Sequence, residues 1–281
     1  MNERTQQQIQ KQGKAFFSFI FKFFLGIVFI MPLIFCIFYS FKPETQIPVT
    51  PPTLFTKTPT LMHYAWVLTH MPFFTYVKNS LIVCFISIAS QITLSSLAAY
   101  GFSFFEFPGK KQLFSVVLAT MMIPSDIVII MNYSLIQKLG LLDTYLALVF
   151  PTLISGTAIF MMRQYYLTIP RSLKDAATID GCTDMGFLFK IAVPLSVPTI
   201  ASLGLYLFIN IYNLFLWPLL VTNTDTMRTV QIGISMIVTS ERLEYGPLLA
   251  GATCCVVPVI LIFIFGQDYI VNGMIAGAVK G

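Results

Sequence analysis

Charge is scarce in this chain. Only 10% of its 281 residues are Asp, Glu, Lys or Arg, against about a quarter in an ordinary soluble domain. Histidine is scarcer still, with two residues, His63 and His70. They fall in one polar loop, where solvated side chains are expected rather than a metal pair. The five cysteines, Cys36, Cys84, Cys182, Cys254 and Cys255, include no Cys-x-x-Cys pair, so neither a zinc site nor a redox motif is readable. A Gly-x-x-x-x-Gly-Lys-Ser/Thr phosphate loop is also missing, which excludes nucleotide hydrolysis by that device. No metal site, bound cofactor or nucleic-acid partner is expected for the chain itself.

What the chain has is apolar sequence in long runs. Apolar residues make up 56% of it, more than a soluble fold of this size can cover, and lipid is the simplest place for them. Runs of about 20 apolar residues give six expected spans. These are Phe17 to Phe41, Ser80 to Phe102, Leu113 to Met131, Tyr145 to Met162, Ile191 to Val221 and Pro247 to Gln267. Each must be a helix, because a single segment in lipid has no other partner for its backbone groups. The fifth is longer than one crossing needs, which predicts a tilt or break near Trp217-Pro218. The fold class is therefore all-α, a polytopic membrane protein with six transmembrane helices. The first run has a basic lead but too long a core and no small-residue cleavage site after it, so it is expected to be a retained helix rather than a signal peptide.

Lys and Arg in the flanks set the expected orientation. With both termini cytoplasmic, the inner flanks hold Arg4, Lys11, Lys14, Lys22, Lys110, Lys111, Arg163, Arg171, Lys174, Lys190 and Lys280. The outer flanks hold Lys42, Lys57, Lys78, Lys138, Arg228 and Arg242. On this reading residues 1–73 comprise the N-terminal tail, the first span and a Pro-rich outer loop. Residues 74–267 form a core of five spans with a long cytoplasmic loop at 163–194, and residues 268–281 a cytoplasmic tail. Ser125-Asp126 after Pro124 is placed to start a short outer helix.

The spans are nearly free of ionisable residues; Lys22, Asp126 and Asp268 lie near their ends. Intramembrane charges mark ion-coupled carriers, so their absence argues against secondary transport, the alternative class. An intramembrane hydrolase would need a buried nucleophile and base. Tyr100, Tyr206, Tyr212, Asn210, Asn213 and Trp217 supply hydroxyl, amide and ring faces suited to lining a path for a neutral polyol or sugar. Helix packing and interfacial belts are the plainer role for such residues.

The loop between the fourth and fifth spans carries the sharpest pattern. After Ile169-Pro170, a short helix is expected from Ser172 to Gly181. Ser172 would cap it with Asp175 three residues on, and Gly181 would end it. Two to three turns are marginal in water, so the helix must rest on something. Ala177 and Gly181 share one face, small enough for another backbone to approach, and Leu173 and Ile179 are apolar anchors. Pro194 sets the entry into the next span.

The run Asp175-Ala176-Ala177, three residues, Gly181, nine residues, Ile191-Ala192-Val193-Pro194 resembles the EAA motif of ATP-binding-cassette importer permeases, Glu-Ala-Ala-x3-Gly-x9-Ile-x-Leu-Pro. Asp175 stands where the family has Glu, and Val193 where it has Leu. Arg163-Gln164-Tyr165-Tyr166 with Ile169-Pro170, Met122-Ile123-Pro124, Asn213 to Leu219 and the ending Gly273 to Gly281 are similar to the carbohydrate-uptake branch. There they resemble the second permease of maltose, oligosaccharide and glycerol-3-phosphate importers.

The resemblance implies the type I importer fold. It implies that the chain pairs with a second permease subunit, two ATPase subunits and an extracytoplasmic solute-binding protein in a bacterial cytoplasmic membrane. ATP and magnesium would reside on the partners, so the chain itself would be no enzyme. The ATPase contact would fall on Asp175, Ala176, Ala177, Asp180 and Gly181, with Pro194 passing the movement on. Gly277 and Lys280 would lie in a tail reaching the ATPase, and residues 222–245 would enter the binding protein's cleft. A neutral sugar is preferred over glycerol-3-phosphate or a glycerophosphodiester, because the outer flanks offer no clear phosphate trap.

Overall fold

The computed structural model of the protein describes the backbone of residues 3–238 and 245–278, and the side chains of residues 16–238 and 245–267. Among these residues there is no strand. The helices run in chain order as α1 Glu3–Ser40, α2 Met62–His70, α3 Phe73–Phe104, α4 Lys110–Thr120, α5 Ile129–Lys138, α6 Tyr145–Val149 and α7 Gly156–Tyr166. They continue as α8 Arg171–Ile179, α9 Asp184–Phe187, α10 Val193–Leu195, α11 Val197–Tyr212, α12 Leu216–Val221, α13 Val230–Val238 and α14 Tyr245–Ala278.

The described helices give three to five of the six expected spans. Among the described residues, three stretches are long and apolar enough to cross a membrane: Phe16–Ser40, Phe73–Phe104 and Tyr245–Gln267. Two more arise only if bent pairs are counted: Tyr145–Thr152 with Gly156–Tyr166, bent by 49°, and Asp184–Leu195 with Val197–Tyr212, bent by 75°. The expected third span is divided. Helix α4 stops at Thr120, a 3-10 turn occupies Ser125–Ile127, and α5 starts at Ile129. Pro124 explains the stop, since it lacks an N–H and disfavours helical backbone at Ile123. The break expected near Trp217-Pro218 falls just earlier, between Tyr212 and Leu216, and Trp217 and Pro218 lie inside α12.

Contacts divide the chain into two units, Met1–Met71 with Ile237–Cys254, and Pro72–Met236 with Cys255–Gly281. In the first, His63 is buried rather than solvated, its Nε2 2.8 Å from the Lys42 carbonyl. Glu44 accepts from the Tyr245 and Gly246 N–H groups, both at 2.9 Å. These are free donors at the start of α14, where a carboxylate is favoured. His70 is exposed and stacks on Trp66.

The second unit is built around α3, which packs against α7 and α11. Its buried face is largely polar or small: Asn79, Ser80, Ser87, Gln91, Ser95, Ser96, Ala99 and Ser103. Its exposed face is apolar, with Phe74, Phe85, Leu94 and Leu97 outward. This inversion of the soluble pattern is what lipid demands, with small and polar residues joining helix to helix. Two helices of this unit approach closely at Gly156. There a Cβ would lie 2.8 Å from Thr120 Oγ1 and 3.1 Å from the Val117 carbonyl, so α4 and α7 meet at a residue without a side chain.

Candidate functional site

Helix α8 is the expected short helix, shifted in its start. It begins at Arg171 directly after Pro170, whose extended backbone (ψ 134°) precedes the first turn, and no side chain caps it. Ser172 is therefore not the cap. Proline fixes the entry conformation by itself, which leaves Ser172 inside the first turn and exposed. The other end is as expected. Gly181 sits at φ +77°, with its N–H donating to Thr178 O at 3.0 Å and the Cys182 N–H donating to Ala177 O at 2.9 Å. That pair of bonds is a Schellman ending, which requires a left-handed residue and favours glycine.

The faces of α8 correct one expectation. Ala177 is 9% exposed, turned toward its own chain, so it does not share a free face with Gly181. Space along the helix axis decides this: Lys174 and Ala177, three apart, lie on one face, and Lys174 is anchored inward. Its Nζ is 3.0 Å from Asp184 Oδ1 and stands over the rings of Phe105, Tyr100 and Phe104 at 4.6, 5.4 and 5.6 Å. The outward residues include Asp175, Ala176, Ile179, Asp180 and Gly181, along with Leu173 and Thr178. Ile179 is the most exposed large apolar side chain described, at 86%. No atom lies within 4 Å of the position a Gly181 Cβ would take.

Beyond α8, the chain runs through α9, a π-helical turn at Leu188–Ala192 and α10. Pro194 cannot donate a backbone hydrogen bond, and in the turn before it Val193 N–H reaches back five residues to Leu188 O. Wide turns of this kind accommodate an irregular helix. The 75° bend follows at Ser196, which is fully buried and whose hydroxyl donates to Val193 O at 2.9 Å.

A second feature lies where the helices break. The freed carbonyls between α6 and α7 are met by α3: Gln91 Nε2 donates to Thr152 O at 2.7 Å and Ser90 Oγ to Leu153 O at 2.8 Å. Irregular backbone at membrane depth survives only with such partners or beside a wet cavity. Here both apply. A cavity of about 490 Å³ is lined by Gln91, Thr120, Thr152, Ser155, Tyr206 and Asn210 among others. A neighbouring one of about 290 Å³ includes Asp126, Asn132, Asn213 and Trp217. The two share Ser125, Pro151, Thr152 and Leu214. Together they form a groove whose polar lining is neutral except for Asp126.

Of the expected path residues, Tyr206, Asn210, Asn213 and Trp217 thus come together. Trp217 is mostly buried and spends its indole N–H on the Ala147 carbonyl, 3.0 Å away. Tyr100 does not join them. It is buried beside α9 and donates its hydroxyl to Asp184 Oδ1 at 3.1 Å, because a tyrosine packed among Phe104, Phe105 and Phe187 needs a partner for its one polar atom. Tyr212 is also buried, donating to Cys255 O at 3.1 Å. Gln91, Thr152 and Ser155 were missed by sequence reasoning. A glutamine and serines in an apolar run were the available signal, but nothing local tells which way they face. Lys280 and residues 239–244 lie outside the described residues, and Gly277 outside the described side chains.

The described residues are thus all helical or irregular, with helices long and apolar enough to span a membrane, breaks around a groove neutral apart from Asp126, and a short exposed helix preceding a bent helix pair. Residues 91–276 match the family described as binding-protein-dependent transport system inner membrane component. The chain is 35% identical over 261 residues to the arabinooligosaccharides transport system permease protein AraQ of Halalkalibacterium halodurans, covering 92% of this chain and 94% of that one. It is 36% identical over 199 residues to the sn-glycerol-3-phosphate transport system permease protein UgpE of Agrobacterium fabrum, covering 70% of this chain and 71% of that one. A chain of a bacterial transporter that imports the acidic polysaccharide alginate shares the fold, with a TM-score of 0.78 at 20% identity over 96% of this chain and 99% of that one. The protein belongs to the binding-protein-dependent transport permeases, among the carbohydrate-uptake permeases of ATP-binding-cassette importers.

Proposed function

We propose that the chain forms half of the translocation path for a neutral sugar or oligosaccharide, in the cytoplasmic membrane of a bacterium. A second permease supplies the other half, an extracytoplasmic binding protein delivers the substrate, and ATP and magnesium act on two partner ATPases. The observation that carries the substrate class is the groove. Its described lining contains amides, hydroxyls and aromatic rings and no Lys or Arg. Hydroxyl-rich ligands are held by such groups, whereas a phosphate ester calls for cationic partners. That favours a sugar over glycerol-3-phosphate, the substrate named for one relative.

Coupling to the ATPases is assigned to Asp175, Ala176, Ile179, Asp180 and Gly181 on the free side of α8, with Ala177 seating the helix on its own chain. The π turn and Pro194 form the lever into the bent span. Gly277 and Lys280 remain candidates for a tail contact. The reading is tested in proteoliposomes holding the whole complex with its binding protein. Uptake of a neutral oligosaccharide should require ATP inside and binding protein outside. Uptake driven by an ion gradient without ATP would instead identify a secondary carrier, and uptake of glycerol-3-phosphate alone would overturn the substrate class.

A further inference from the structure

At the end of α3 that meets the coupling loop, a cavity of about 600 Å³ opens between the turn into α4 and the side of α7. Small-molecule sites occupy roughly 300–1,000 Å³. Lys110, Lys111 and Arg163 line it, with Phe107 and Phe114 as its apolar part.

The one carboxylate in its lining is already engaged. Glu106 Oε1 is 3.2 Å from Lys110 Nζ and 3.2 Å from Arg171 Nη2, and the hydrogen bonds from these two cations hold its carboxyl below the usual range. Two cationic groups are left over. Lys111 has no ion pair or side-chain hydrogen bond among the described residues. Arg163 spends only its Nε, on the Phe102 carbonyl at 3.4 Å, while its guanidinium lies 4.0 Å from the centre of the Phe114 ring. The ring and the carbonyl fix the plane of the fork and leave its terminal nitrogens open. A guanidinium held this way is prepared for two-point recognition of a phosphate.

The surroundings choose among phosphates. On α4, next to the cavity, Leu113 and Val116 are 53% and 61% exposed and one turn apart, forming an apolar strip that leads away from the cations. A free phosphate has no use for it; an acyl chain does. Basic pockets at the ends of membrane helices take acidic lipid headgroups. We infer that this cavity binds the headgroup of an acidic glycerophospholipid, its phosphodiester on Arg163 and Lys111 and its chains along Leu113 and Val116. The site shares no lining residue with the groove, and it meets α8 through the Glu106–Arg171 pair.

The test is native mass spectrometry of the whole complex, purified from a mixture of phosphatidylglycerol and phosphatidylcholine. Wild type should retain phosphatidylglycerol preferentially. Lys111→Gln, an exposed change that spares the packing of Arg163, should weaken retention about fivefold, and Lys111→Arg should restore it. Equal retention by wild type and Lys111→Gln would overturn the inference, as would no preference for the acidic lipid. Displacement of the lipid by inorganic phosphate alone would also overturn it, placing a free anion in the cavity.

Discussion

Lys174 and Asp184 are joined at 3.0 Å, and the same carboxylate oxygen accepts the Tyr100 hydroxyl at 3.1 Å. One atom therefore ties the short helix α8 to α9 and to the end of the long helix α3. The pair is partly exposed, so its contribution to stability is about 1 kcal/mol or less. On the proposed coupling role of α8, its weight would lie in transmission. Asp184→Asn and Lys174→Met should leave the complex assembled but lower the substrate carried per ATP hydrolysed. Parallel measurements of uptake and phosphate release give that ratio, and an unchanged ratio in both variants would remove the pair from the coupling route.

The groove makes a prediction of a different kind. Tyr206 and Asn210 stand in it, with Asn210 Nδ2 bonded to Tyr206 O at 2.7 Å. Tyr206→Phe and Asn210→Ala each remove one polar partner from a passing sugar, a change of about 2- to 10-fold in apparent KM at roughly 1 kcal/mol per hydrogen bond. Uptake kinetics across a small set of oligosaccharides measure it. If neither variant shifted KM or sugar preference, these residues would be packing alone.

Asp143 predicts a pH dependence. Its backbone is left-handed, at φ +62°, and its carboxylate accepts from Asn223 N–H at 3.0 Å and from Thr224 N–H and hydroxyl at 3.2 and 2.7 Å. Partial desolvation raises its pKa, but these hydrogen bonds, with Arg228 nearby, outweigh it and leave the group below the usual aspartate value. A depressed folded pKa stabilises above the unfolded value and is lost as pH falls through the folded one. Protease resistance of the 222–226 segment should hold from neutral pH to about pH 4 and fall only in stronger acid. Asp143→Asn should show no such step, and Asp143→Ala should be weaker at every pH.

Gly246 predicts a packing failure. A Cβ there would lie 2.2 Å from Cε1 of the buried His63 ring, which would have to abandon the Lys42 carbonyl. Gly246→Ala should cost about 1–3 kcal/mol, read as a lower Tm of the purified complex. An unchanged Tm would mean that the His63 ring can move aside.

The first two apolar runs were legible because their length and composition suffice. The first was expected to Phe41 and its helix ends at Ser40, and the second was expected over Ser80 to Phe102 inside α3. Gly181 was legible because a helix ending has its own chemistry. The breaks were not. A run such as Leu113 to Met131 stays apolar on average while Pro124 stops the helix. The gap after Thr152 is held open by Ser90 and Gln91, some 60 residues away in sequence. The inward turn of Ala177 depends likewise on where Lys174 finds Asp184 and the rings at the end of α3. Distant partners decide which face of a short helix is free, and a local pattern does not contain them.

The central claim is that the outward face of α8 grips an ATPase. The most direct measurement places Ile179→Cys in the assembled complex and oxidises it against single cysteines in the ATPase, alongside Gly181→Asp tested for uptake. Ile179 is 86% exposed and Gly181 has open space where a side chain would project. An intersubunit disulfide is therefore expected, with a permease pair that assembles normally yet, with Gly181→Asp, neither transports nor accelerates ATP hydrolysis. No crosslink at any ATPase position, with uptake by Gly181→Asp at the wild-type rate, would contradict it.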